Sequence, residues 1–103
     1  MSFFVSVIKQ VESEFDDIYR ITTENGLILD IPENKKPVIG SSIEYHINDD
    51  KNNSGYTIMN GIVYNIHNTG ILVSFGGLLG NIPLDETIKK TIKENISLSY
   101  KLI

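Results

Sequence analysis

Short runs of β-branched and aromatic residues, each ended by glycine, asparagine or proline, recur along the whole chain. That rhythm constrains the fold more than any other feature, because it supplies strands and turns and leaves little room for long helices. Phe3 to Val11 (FFVSVIKQV) is the first run, and the acid-rich stretch Glu12-Ser13-Glu14-Phe15-Asp16-Asp17 breaks it. Ile18 to Thr23 resumes the pattern, Asn25-Gly26 follows, and Leu27 to Ile31 (LILDI) comes next. Asn-Gly between two such runs predicts a hairpin with a type I′ turn, which needs positive φ at both central residues.

Pro32 to Pro37 cannot continue a central strand, since each proline removes a ladder donor. Ile43, Tyr45 and Ile47 alternate with Glu44, His46 and Asn48, as in a half-buried strand, with His46 on the polar face. Asn48 to Gly55 (NDDKNNSG) has no apolar side chain. As a linker it would leave halves of about fifty residues, too small to fold alone, so it reads as a loop within one domain spanning 1–103.

Tyr56 to Ile66 is a long strand pattern with Gly61 in its middle, which suggests a bulge or bend. Tyr56, Ile58, Ile62, Tyr64 and Ile66 share one parity, and their side chains are expected in the core. His67-Asn68-Thr69-Gly70 reads as a second hairpin turn into Ile71–Phe75, and Gly76 to Pro83 as a bend or short strand. Leu84, Ile88, Ile92 and Ile96 recur every fourth residue, with Asp85 and Glu86 early and Lys89, Lys90 and Lys93 late. That charge order suits a helix dipole, with Asp85–Lys89 and Glu86–Lys90 as i,i+4 pairs, so a short helix is expected before a final strand from Ile96 to Ile103.

The sum is an all-β domain of about seven or eight strands, and closing its sheet removes the exposed edges. A small closed antiparallel barrel of the oligonucleotide/oligosaccharide-binding (OB) type, or an SH3-like barrel, is the expected architecture. Seventeen isoleucines reinforce it, because a branched Cβ packs well on a pleated surface. For 11.6 kDa, about 65% of the unfolded surface can be buried, enough for one core without staples.

The same composition removes function classes. Without cysteine there is no disulfide, thiolate nucleophile, cysteine zinc site or iron–sulfur cluster. No apolar run approaches the ~20 residues of a membrane helix, and the start MSFFVSVIKQVE lacks a basic n-region and a small-residue cleavage site, so a soluble cytoplasmic protein is expected. A net charge of −4 and a pI near 5.0 argue against a free-standing nucleic-acid binder, which needs a positive footprint.

Site candidates are few. His46 and His67 are the only histidines; either could serve as a lone general base, but a solvated surface side chain is the expectation. Asp49-Asp50 lacks the alternate acids and closing Glu of an EF-hand loop. Glu12, Glu14, Asp16 and Asp17 suggest a patch for a cation or basic partner, against the plainer reading of a solvated turn. The glycines of Ser74-Phe75-Gly76-Gly77-Leu78-Leu79-Gly80 follow a hairpin strand and open no crossover helix, so they are no dinucleotide fingerprint. Single-strand binding would use stacking aromatics and a positive groove. Phe3, Phe4, Phe15, Tyr19, Tyr45, Tyr56, Tyr64, Phe75 and Tyr100 mostly take core parity, and basic residues cluster only at Lys35-Lys36 and Lys89-Lys90-Lys93. No catalytic, cofactor-binding or metal-binding residue is assigned.

Tyr56 to Leu79 (YTIMNGIVYNIHNTGILVSFGGLL) resembles the most characteristic stretch of subunit 8 of the multisubunit RNA polymerases, with Tyr56, Gly61, Tyr64 and Ser74-Phe75-Gly76-Gly77-Leu78-Leu79 in matching places. Phe15-Asp16-Asp17-Ile18-Tyr19-Arg20-Ile21 and Leu27-Ile28-Leu29-Asp30-Ile31 are similar to that family's N-terminal strands. Eukaryotic members carry a longer polar insertion where NDDKNNSG stands, so the chain looks like the short archaeal form of the family. The resemblance implies an OB-type barrel that docks on the largest, catalytic subunit of DNA-directed RNA polymerase, near the nucleotide-entry pore and away from the DNA cleft. It carries over no catalytic residue: nucleotidyl transfer, with its Mg²⁺ and carboxylates, belongs to the large subunits. Ser74 to Leu79 then serve the barrel bend or the docking. The rival expectations are a free single-strand nucleic-acid binder of OB type and a small hydrolase built on His46 or His67.

Overall fold

In the computed structural model, residues 2–48, 55–84, 88 and 93–103 are described. They form eight strands: β1 (Ser2–Phe15), β2 (Ile18–Thr23), β3 (Ile28–Pro32), β4 (Ser42–Ile47), β5 (Thr57–His67), β6 (Gly70–Phe75), β7 (Leu78–Pro83) and β8 (Asn95–Leu102). All neighbours pair antiparallel, in the order β1-β2-β3-β7-β6-β5-β8-β4, and β4 returns to β1, so the sheet closes into a ring of hydrogen bonds.

The acids after Val11 do not end the first strand. β1 runs on to Phe15, because Glu12 takes an outward position opposite Arg20 while Val11, opposite Ile21, packs against the core. The break comes at Asp16-Asp17, where Asp17 has φ of 61°. The hairpin at Asn25-Gly26 is present, but its turn is not type I′. Gly26 has φ of 95° and Asn25 keeps negative φ; Thr23 N–H donates to the Leu27 carbonyl and Gly26 N–H to that of Thr23. This three-residue loop ends in a left-handed glycine and leaves the Asn25 side chain free for other work. Both positive φ values occur instead at Gly76-Gly77 (64° and 104°), the two-residue turn between Phe75 and Leu78.

Isoleucine, leucine and valine from the strands meet inside the ring, where β5 supplies Met59 with Val63 packed against the cluster, and Leu27 and Ile88 join it from outside the strands. Two fully buried tyrosines, Tyr45 and Tyr100, lie opposite each other on β4 and β8. Their hydroxyls leave the core by donating or accepting at residues before and after β3: Tyr45 accepts from Asn25 Nδ2 (2.9 Å) and Tyr100 donates to Glu33 Oε2 (2.7 Å). Burial, helped by the Glu33 carboxylate, pushes the Tyr100 phenol well above its ordinary range.

β5 reverses an expectation. Ile58, Ile62, Tyr64 and Ile66 stand outside the ring, with Ile62 54% and Tyr64 55% exposed, while Tyr56, just before the strand, is half-buried. The pairing with β8 decides this: Met59 faces Leu98 and Gly61 faces Ile96, both buried, so that parity points inward. Phe3 and Phe15 are also exposed rather than in the core. The register shift in β5 falls between Val63 and Asn65, not at Gly61. Gly61 serves close approach instead, since a Cβ there would sit 2.7 Å from the Ser74 carbonyl oxygen, the Phe75 ring and Val73.

No helix is among the described elements. The helical turn expected after Leu84 falls on 85–87 and 89–92, outside the described residues, as does the mid-chain loop at 49–54 with Asp49 and Asp50. The four-residue recurrence does not reach Ile96, which is a buried position of β8.

Candidate docking face on the outer sheet

One outward row crosses six strands. Glu12 of β1 lies opposite Arg20 of β2, Arg20 opposite Asp30 of β3, Leu79 of β7 opposite Ser74 of β6, and Ser74 opposite Ile62 of β5. The step from β3 to β7 is made by a side chain. Asp30 is 5% exposed, accepts from Arg20 Nε (2.7 Å) and Nη2 (3.2 Å), and its Oδ2 accepts the Leu79 N–H at 2.9 Å. A forked guanidinium on one carboxylate is the strongest common side-chain pairing, and here it also fixes the backbone of the next strand.

The row changes character along its length. At one end Glu14 Oε1 stands 3.5 Å from Arg20 Nη1, so Glu12, Glu14 and Asp30 surround a single guanidinium. Asp30 chiefly, then Glu14 and Glu12, raise the Arg20 pKa against a lowering by burial. The other end is apolar. Ile28, Leu72, Leu79 and Tyr64 line a surface cleft of about 240 Å³ that Arg20 closes on the acidic side. Around Ile62 the face carries a second hollow, of about 310 Å³, where Asn60, Ser74 and Asn95 join Ile62 in the lining.

The run Ser74 to Leu79 divides between two tasks. Phe75 is buried, its ring within about 3 Å of where a Cβ would stand on Gly61 and on Gly80, so two glycines on flanking strands make its seat. Gly76 and Gly77 form the turn, Leu78 packs partly against the core, and Ser74 Oγ accepts the Gly77 N–H at 3.4 Å. Leu79 alone of the six is an exposed large apolar side chain, at 41%.

His46 is not the solvated side chain the sequence suggests, whereas His67 is only partly covered. His46 is outward on β4, but its side chain is 13% exposed, set between Phe3 (4.7 Å between centroids) and Tyr56 (5.3 Å), with Glu44 at 3.8 Å. His67 is held at its turn by Thr69 Oγ1 (3.2 Å) and Asn81 Oδ1 (3.3 Å). The His67 ring thus links the Thr69 hydroxyl on one nitrogen to the Asn81 side-chain oxygen on the other, at the β5–β6 turn. Among the described residues no group of three or more histidine or carboxylate side chains could hold a metal ion. Lys35, Lys36 and Lys93 are exposed and outside this face, and Lys89 and Lys90 lie outside the described residues.

Two features of this face escape a reading of the sequence. The outward turn of the β5 hydrophobes needs the β8 pairing. The Asp30–Leu79 bond needs the β3–β7 pairing, although a lone acid between Leu29 and Ile31 already marks Asp30 as an outward residue with a partner. No protein-family model matches the chain, and no curated protein matches it.

Proposed function

We propose that the chain is a non-catalytic subunit of a DNA-directed RNA polymerase, of the short archaeal kind, folded as a barrel of OB type and docked on the largest subunit by its outer face. One observation carries the reading. The stretches that resemble subunit 8 lie far apart in sequence, yet Arg20 and Leu79 both bind Asp30 and join Tyr64 in lining one surface cleft. Buried packing would account for Phe75 and its glycines, but not for Tyr64, Ile62 and Leu79 held in solvent. An apolar strip of this kind, fixed by a rigid ion pair, suits a protein interface.

In this role the chain binds no cofactor, and the nucleotidyl-transfer chemistry stays with its partners. Affinity purification through a tag on this chain, from its own cells at low salt, is expected to recover the large polymerase subunits in comparable amount. Recovery of none of them sinks the reading. Titration with labelled oligonucleotides separates it from a free single-strand binder: tight binding with a steep salt slope would favour the latter.

A further inference from the structure

We infer that the cleft between β3, β5, β6 and β7, with the acidic margin beside it, takes an extended segment of a protein partner that presents an apolar side chain next to lysine or arginine. The inference rests on the proposed docking role and names the chemistry of what docks. The cleft supplies the apolar half: Ile28, Leu72 and Leu79 line it together with Tyr64, which is set outward and exposed at the bulge of β5. Tyrosine in such a place gives large contact area at small entropic cost, and it is among the residues that dominate interface energies.

Charge decides the occupant. Among the described residues Arg20 is the one cation lining the cleft, and it is spent. Asp30 holds it by two hydrogen bonds, and Glu14 and Glu12 add two more negative charges around it. The margin therefore carries an excess of two negative charges over one guanidinium. Beyond it, the β1–β2 turn adds exposed Asp16 and Asp17. A nucleic-acid strand laid in the cleft would bring its phosphates against these carboxylates. A basic segment would meet opposite charge there while its apolar side chain leaves water beside Tyr64 and Leu79.

The test uses the tagged full chain in its own cells, with Leu79→Asn, Tyr64→Ala and the double change Glu12→Gln/Glu14→Gln, and Val38→Ser on an exposed loop as control. Every one of these positions is at least partly exposed, so the variants should fold, which circular dichroism checks. Leu79→Asn and Tyr64→Ala are expected to cut recovery of the large subunits at least about ten-fold. The double glutamine variant should lose most of the salt dependence of recovery, because the screened term is removed, and Val38→Ser should behave as wild type.

Full recovery by all the cleft variants overturns the inference while the docking role stands. If the wild-type chain recovers no polymerase, that role falls, and the cleft is judged directly. A lysine–leucine pentapeptide added to the ¹⁵N-labelled chain should then move the amide signals of Tyr64, Leu72 and Leu79, and a glutamate–leucine peptide should not. Equal responses to the two peptides, no response, or a larger response to an oligonucleotide would overturn it.

Discussion

Asp30 illustrates how one side chain carries several scales of the structure at once. It is outward by parity, yet almost wholly covered, because Arg20 folds over it and the Leu79 amide meets it from the next strand. Tyr100 is its counterpart inside the ring: a buried phenol whose hydroxyl reaches the rim at Glu33. Its ionisation is suppressed in the folded chain, first by burial and then by the carboxylate it faces. In the unfolded chain the phenol titrates near about pH 10. A raised folded pKa means that the stabilisation is complete below the unfolded value and is lost as pH rises above it, since only the unfolded chain releases the proton there. Urea unfolding measured from pH 8 to 11.5 should therefore show stability falling above about pH 10. Tyr100→Phe should flatten that fall, while costing about 1 kcal/mol at neutral pH for the lost hydrogen bond. An unchanged alkaline slope in the variant would show that the Tyr100 phenol is not its source.

Elements differ in how far they can be read from sequence, for physical reasons. β4 and β8 are plain, because Ile43-Tyr45-Ile47 and Ile96-Leu98-Tyr100 carry apolar residues on one parity only. β5 is opaque, because Ile58, Ile62 and Tyr64 oppose Met59 and Val63 with apolar residues on both parities, and only the pairing with β8 chooses the inner set. The turns divide in the same way. Asn25-Gly26 marks a hairpin, but its turn type depends on Asn25 being drawn to Thr23, Leu27 and Tyr45. Gly61 is visible as an interruption, and its cause is the Phe75 ring and the Ser74 carbonyl across the strand pair. Gly61→Ala should lower stability by about 1–3 kcal/mol, the usual cost of overpacking, as a reduced urea midpoint with unchanged slope. Shrinking the ring with Phe75→Leu should not rescue it, because the Ser74 oxygen belongs to the backbone at 2.7 Å. Rescue by that second change would show that the ring alone sets the limit.

At the scale of the whole molecule, closure of the ring is uneven. β1 meets β4 along its register from Ser2 to Val7, and β5 meets β8 from Thr57 to Ile62, but β3 and β7 meet only at Ile28–Asn81 and Leu29–Gly80. The Asp30–Leu79 bond extends that seam by one step without a ladder pair. Local opening follows the places with least hydrogen bonding, so the seam should be the first part of the ring to part. Hydrogen exchange should then find the amides of β7 at this seam less protected than those of β8 between β4 and β5. Asp30→Ala should widen the difference, speeding exchange at Leu79 and its neighbours far more than at Leu98 or Tyr100. It should lower global stability by about 2–3 kcal/mol, the usual worth of a charged hydrogen-bond partner lost from a covered site. Uniform acceleration across all eight strands would mean that the ring opens only as a unit and that Asp30 has no special place in its closure. The seam also lies beneath the cleft, since Ile28, Gly80 and Asn81 belong to both. A partner seated there would bridge β3 to β7 from outside, and binding would be linked to closure of the ring.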